Sequence, residues 1–318
     1  GLQPNRRAKL IGTLARREIK SGDFFYPADL EEHVVTPRSY TFKRPWGLAV
    51  RYHDFDILRK KSNPDFLEFH LSYKDMDQEL GDFFAEVYNL NFIVHSPDLF
   101  QGDHLLNLAE KNEGYRRRSV AELQRVIDVA RQLKPFFKKT KKVPIIVSVG
   151  GFSKDRPLPK EDRNILYERV AKSLSELDTD DVEILPQTLP PFPWYFGGQL
   201  FCNIFVNAEE TAKFCSDYGY RVCLDVSHSQ LAVNHQKSSL VEFVDLVGPY
   251  TGHLHLVDAE GLDGEGVQIG DGEINFSKLA SQLASLAPKA SFIPEIWQGH
   301  KNEGGGFWLA LERLEQWF

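Results

Sequence analysis

Between Arg221 and Asp258 the chain reads RVCLDVSHSQLAVNHQKSSLVEFVDLVGPYTGHLHLVD. Two short apolar, β-rich runs, Arg221–Leu224 and His253–Val257, flank a helical pattern at Ser239–Val247, the order expected of a parallel βαβ unit. Working outward, the same alternation recurs from Trp46 onward. Six further runs are Gly47–Arg51 (GLAVR), Phe66–Phe69 (FLEF), Phe92–Val94 (FIV), Val143–Val149 (VPIIVSV), Val182–Leu185 (VEIL) and Phe292–Ile296 (FIPEI). The total of eight is the number that closes a (β/α)8 TIM barrel.

The helix between runs three and four is the clearest: over Tyr115–Leu133, residues Val120, Leu123, Val126, Ile127, Ala130 and Leu133 recur at spacings that make one apolar stripe, able to cover a strand. Further helices are expected at Asp77–Tyr88, Glu161–Leu177, Ala208–Tyr218, Phe276–Leu286 and Gly306–Trp317, with a short one at Asp56–Lys61. The stretch Leu185–Gln199, LPQTLPPFPWYFGGQ, is too rich in Pro and Gly for a helix and reads as an ordered loop that shapes a pocket at the barrel mouth. Residues 1–45 have a different character, a basic start (Asn5-Arg6-Arg7) and a Gly-Asp turn between short extended pieces. They form a small N-terminal segment, and 46–318 form the barrel.

At 318 residues one such barrel plus an appendage accounts for the length. A net charge of −7 disfavours nucleic acid as a partner. Cys202, Cys215 and Cys223 are odd in number and lack CxxC spacing, which fits a reducing cytoplasm better than a disulfide framework. No apolar run is long enough to span a bilayer, so no membrane role is expected. Met76 is the only methionine and the chain opens with Gly1, as a fragment of a longer protein would.

In a barrel, chemistry gathers where strands end. His53 follows run one, His70 run two, His95 run three, Gln187 run five, Asp225 and His228 run six and Asp258 run seven, while Glu295 lies inside run eight near its end. His255 lies inside run seven. Imidazole and carboxylate suit one divalent metal ion, Mn, Mg, Zn or Co, with Asp225, His255 and Glu295 from successive strands converging on it and Gln187 assisting. A histidine can instead satisfy a backbone carbonyl, and His253, one layer deeper than His255, is read as packing.

At CLDVSH (Cys223–His228), GHLHLVD (Gly252–Asp258) and IPEI (Ile293–Ile296) the chain resembles the xylose isomerase-like barrel superfamily, which includes sugar-phosphate isomerases, ketose 3-epimerases and endonuclease IV. The resemblance implies that Asp225, His255 and Glu295 bind the metal and that His228 contacts substrate or a further metal. Two departures matter. Where the epimerases place a glutamate that serves as ligand and base, this chain has Gln187, which can ligate through oxygen but cannot accept a proton as a carboxylate does. The fourth run lacks the zinc-binding histidine of endonuclease IV, so a three-zinc DNA-repair site is not expected; Asp263 and Glu265 fall roughly where the resemblance puts that enzyme's late third-zinc ligands, and read equally well as an acidic Gly-rich loop over the mouth. Asn5–Leu30, NRRAKLIGTLARREIKSGDFFYPADL, resembles the start of the antifreeze-like (SAF) domain that follows the barrel in sialic acid synthases. That likeness implies a synthase-like domain upstream and a place in nonulosonate or amino-sugar metabolism.

The resulting expectation is a metal-dependent sugar or sugar-phosphate isomerase or epimerase working through an enediolate, with Glu295 as base and His228 orienting a substrate oxygen. Arg51, His53, His70 and His95 line the wall, Trp194 and Tyr195 stack on a sugar face, and Asp258 also contacts substrate. Open alternatives are a metal-dependent lyase or hydrolase and a non-catalytic sugar-binding module. The partners are then a small sugar or sugar phosphate, and a homo-oligomer remains open.

Overall fold

The computed structural model describes residues 2, 6–31 and 35–318. Asn5 of the basic start and His33 lie outside the described residues. Eight parallel strands appear in the expected order: β1 (Gly47–Val50), β2 (Phe66–His70), β3 (Asn91–His95), β4 (Val143–Val147), β5 (Val182–Pro186), β6 (Val222–Asp225), β7 (Thr251–Leu256) and β8 (Ser291–Pro294). β1 to β5 form one hydrogen-bonded sheet and β6 to β8 another. Parallel bridges Trp46 to Phe292 and Gln187 to Cys223 join the two, so the barrel closes.

Period-two alternation divides each strand between two cores. Ala49, Phe66, Ile93, Ile146, Leu185, Cys223 and Ile293 meet inside the barrel. Their neighbours Leu48, Leu67, Phe69, Phe92, Leu224, Leu254 and Phe292 face the surrounding helices. Glu68 pairs in register with Ala49 and Ile93, which puts a carboxylate inside the barrel. His253 and His255 alternate with the outward Leu254, so they too point inward.

The surrounding helices are α1 (Phe55–Arg59), α2 (Glu113–Leu133), α3 (Lys160–Ser175), α4 (Ala208–Tyr218), α5 (Val226–Gln236), α6 (Leu240–Val247), α7 (Phe276–Leu286) and α8 (Lys301–Leu314). Side-chain caps start several of them: Asn112 accepts from Tyr115 N at 3.0 Å, Asn207 from Glu210 N at 3.0 Å and Asp225 from His228 N at 2.9 Å. α4 ends at Gly219, whose φ of 72° is the left-handed conformation that terminates helices.

Three expectations need correction. Asp77–Tyr88 is not a helix: it holds only part of the 3-10 turn Asp75–Asp77 and the 3-10 turn Leu80–Asp82. Tyr88 donates its amide across to Phe136 O at 2.7 Å, and the rings of Phe84 and Tyr88 pack with Phe55 and Phe137, so burial of aromatics outweighs helical hydrogen bonding there. Second, α5 directly follows β6, so His228 sits in a first helical turn. Third, β8 ends at Pro294, and Glu295 is the residue just past the strand. In α8, Asn302, Glu303 and Gly304 have left-handed φ, and the regular turns begin after them, close to the expected Gly306.

The loop after β5 is ordered and non-helical, as expected. It folds back as a hairpin, Trp194–Tyr195 against Gly198–Gln199, turning through Phe196 and Gly197 at φ of 54° and 73°. The N-terminal segment forms no strand among its described residues. It is held by Arg17 on Asp29 (2.9 Å), Arg6 on Glu260 (2.9 Å) and Arg38 on Glu315 (2.6 Å). Among the described residues no helix is long and apolar enough to cross a membrane.

Candidate functional site

The carboxyl ends of the strands open into a cavity of about 920 Å³, lined by Arg51, His53, His70, His95, Gln187, Asp225, His228 and Glu295 together with Trp194, Tyr195 and Trp297. The structure thus brings together residues from both halves of the barrel. Trp194 and Trp297 are largely exposed at the rim. His53 is also exposed and reaches no nearer than 3.9 Å to Asp54.

The floor is built around His255, which is fully buried. Its Nδ1 lies 2.7 Å from Glu295 Oε2 and 3.7 Å from Asp225 Oδ2, and its Nε2 lies 3.0 Å from Glu68 Oε1. Glu68 also has His70 Nε2 at 2.8 Å and His253 Nε2 at 2.8 Å; of the three contacts, only that from His255 also has hydrogen-bond geometry. The outer face of His253 meets Ser291 Oγ at 2.7 Å. His253 is therefore buried, as read from its depth, but it is a polar partner of Glu68 rather than packing alone.

Glu68 was not singled out from sequence, although a lone carboxylate at an inward position of an apolar strand was a usable signal. Burial opposes its ionisation, yet the imidazoles of His255 and His253 hold its pKa well below the usual carboxylate range. Burial likewise opposes charge on Asp225, where His228 and His255 prevail and lower the pKa. Glu295 is shifted upward, first by burial and then by Asp225, with His255 pulling the other way. For His228, burial disfavours the cation, but Asp225 and Glu265 raise its pKa to about 10. Its Nδ1 lies 2.9 Å from Thr188 O and its Nε2 3.5 Å from Glu265 Oε2.

Where the protons go tests whether these residues suit a divalent cation. His255 donates Nε2–H to Glu68, leaving Nδ1 as an acceptor facing Glu295 and Asp225. His95 lies 3.0 Å from Ser96 O through Nδ1 and 3.2 Å from Gln187 Oε1 through Nε2. The Gln187 amide nitrogen donates to Asp225 Oδ2 at 3.2 Å and lies 3.1 Å from His255 Nδ1, so an amide donor sits between these two acceptors. Asp225, His255 and Glu295 face one another as acceptors around that amide, and His95, His255 and Glu295 each place a ligand atom within 4.8 Å of the others. The donor set fits a cation. Burial works against protonating His255, but Cys223, Glu295 and Glu68 raise its pKa well above the ordinary value, so a proton competes for the same place.

Asp258 differs from the other expected site residues in what its oxygens meet. It does not line the cavity. Fully buried, it accepts the backbone amides of Ala259 (2.9 Å), Gly270 (2.9 Å), Gly272 (3.0 Å) and Ile274 (3.0 Å), which leaves its oxygens no capacity for substrate. A Cβ at Gly272 would lie 2.5 Å from Asp258 Oδ1, so only glycine allows this approach. Asp258 thus anchors the loop that carries Asp263 and Glu265 over the mouth.

Residues 55–316 match the family described as Xylose isomerase-like TIM barrel. No curated protein matches the chain. Among solved structures, a D-tagatose 3-epimerase-like protein is 20% identical with a TM-score of 0.55, over 86% of this chain and 98% of that one. The 3-keto-D-glucoside 4-epimerase of E. coli is 14% identical with a TM-score of 0.58, over 86% and 99%. The D-allulose 3-epimerase of Methylomonas sp., in complex with D-allulose, is 14% identical with a TM-score of 0.56, over 89% and 100%. At these identities the likeness concerns the fold. With the family match spanning most of the barrel, the chain belongs to the xylose isomerase-like TIM barrel family.

Proposed function

We propose that this barrel is a metal-dependent isomerase or epimerase of a sugar or sugar derivative. The observation that carries the reading is the convergence of Asp225, His255 and Glu295 on the cavity floor beside the Gln187 amide, with Glu295 the one carboxylate of this group shifted toward proton acceptance. A divalent cation held by these four residues would polarise adjacent carbonyl and hydroxyl oxygens of an open-chain sugar. Glu295 Oε2 takes the proton from the carbon beside the carbonyl. His228, kept protonated by Asp225 and Glu265, donates a hydrogen bond to a substrate oxygen. Gln187 offers no second base, so one carboxylate moves the proton between neighbouring carbons on one face, which favours isomerisation over two-base epimerisation. The likeness of Asn5–Leu30 to the SAF segment supports amino sugars as the first substrates to try.

Solvent-exchange NMR on ketoses and amino sugars in D2O with added Mn²⁺ tests this. The expected result is deuterium entering one substrate carbon, slowed by a factor of about 10² to 10⁴ in Glu295→Gln. Exchange that is undiminished in that variant, or a product lighter by one water, would overturn the reading.

A further inference from the structure

Charge is unevenly distributed around the cavity wall. Asp98, Asp263 and Glu265 lie after β3 and β7, whereas Arg51, His300 and Lys301 gather where β1 and β8 end. Arg51 is directed inward by register. Ala49 sits in the inner core cluster, and two residues further along β1 the same face of the chain opens at the mouth. Among the described residues, no carboxylate lies within ion-pair distance of the Arg51 guanidinium or the Lys301 ammonium. Asp54 uses Oδ1 to accept the main-chain amide of Arg51 at 2.7 Å, and Asp75, Glu295 and Glu68 act on the guanidinium only from beyond contact distance.

The field here is positive, as His300 shows. Burial lowers its pKa, and Lys301, Arg51 and His53 push in the same direction, with Asp54 alone opposing. Arg51 and Lys301 are both exposed at the rim, and with no carboxylate in contact their donors stay available to an anion that enters the cavity. The cavity, at about 920 Å³, also lies near the upper end of the range for small-molecule sites.

We infer that the β1–β8 sector of the mouth is a subsite for an anionic group on the substrate, a phosphate or a carboxylate, clamped by Arg51 with Lys301 as the second cation. This rests on the sugar reading above and narrows it to sugar phosphates or sugar acids. Arg51 supplies a planar fork that matches either anion, and Lys301 supplies a point charge. The substrate would then span from the rim to the floor, its anionic end on the β1–β8 side and its carbonyl end at Glu295.

The test is titration of the intact chain with inorganic phosphate and, separately, acetate, followed by calorimetry, for wild type, Arg51→Gln, Arg51→Lys and Lys301→Gln, with circular dichroism as the check on folding. The expected result is at least one anion binding, weakened about tenfold or more in Arg51→Gln, less in Lys301→Gln, and partly restored in Arg51→Lys. The tighter of the two anions identifies the group. Binding that is equal in all four proteins, including binding of phosphate at the floor, or no binding of either anion to wild type, would overturn the subsite. Deuterium exchange into neutral sugars is read separately. If that exchange fails while Arg51-dependent anion binding holds, the reaction reading falls and the subsite stands.

Discussion

Replacing Glu68 by glutamine isolates what a buried carboxylate does for His255. Glutamine keeps the shape and one acceptor oxygen, so it can still take the Nε2–H of His255 at the 3.0 Å contact. Its NH2 then faces His253 Nε2, and His253 can accept by moving its own proton to Nδ1, where Ser291 Oγ lies 2.7 Å away. The variant should therefore fold, losing the charge but not the packing. Replacement by alanine would instead strand three imidazoles on a vacancy, with a loss of about 3–5 kcal/mol.

The charge matters because a carboxylate behind a ligating imidazole fixes its tautomer and raises its basicity. Loss of such a partner typically lowers metal affinity 10–100-fold, about 1.4–2.7 kcal/mol. Titration with Mn²⁺ followed by electron paramagnetic resonance gives the affinity, and 15N shifts of the His255 ring give the tautomer. Weaker Mn²⁺ binding by one to two orders of magnitude, with a rise in the minor His255 tautomer, is expected. A folded Glu68→Gln protein that binds Mn²⁺ within twofold of wild type would refute the reasoning and leave Glu68 as a stabilising residue only.

Gln187→Glu should tighten Mn²⁺ binding by up to a few kcal/mol, since a full charge replaces an amide dipole beside a dication, while lowering the melting temperature of the metal-free protein; unchanged affinity would show that residue 187 does not ligate. Asp258→Ala should cost about 3 kcal/mol or more in urea unfolding, because four buried amides lose a charged acceptor; a loss under 1 kcal/mol would contradict the anchoring role. The native protein should resist thiol alkylation near pH 8, since burial pushes the Cys215 and Cys223 thiols up to about 12 and Cys202 well above its ordinary value, and all three should react once unfolded; rapid labelling of the folded chain would count against the packing described.

The barrel was legible because its strands are short apolar runs separated by turn chemistry, and the site's right half was legible because β6, β7 and their successor carry polar residues where apolar ones would pack. Other features were hidden for physical reasons. Asp77–Tyr88 has helical spacing, but its aromatic residues find partners on Phe55, Phe69 and Phe137, contacts invisible in local pattern. α5 was missed because polar residues interrupt VSHSQLAVNHQ, and what starts it is Asp225 as cap, a residue whose apparent interest lay elsewhere. Asp258 ends a strand as a catalytic residue would, and only the return of Gly270–Ile274 onto its oxygens reveals a structural task. Glu68 escaped because attention to strand ends overlooks the layer beneath, where period two, read across β2 and β7, would have placed it against His253 and His255.

Two departures of the site from a strongly anionic floor act in one direction. Glu68, Asp225 and Glu295 bring three carboxylates to the floor, against which a dication and a protonated His228 balance the charge. A fourth carboxylate at position 187 would leave the loaded floor negative, and it would repel an anionic substrate across a cavity that screens charge less than bulk water. The neutral Gln187 removes that repulsion, and Arg51 and Lys301 add attraction at the rim. Substituting Gln187 by glutamate should therefore have opposite effects at the two ends of the cavity, tighter Mn²⁺ at the floor and weaker phosphate at the mouth. Phosphate binding that strengthens together with the metal would place the anion on the cation rather than on Arg51.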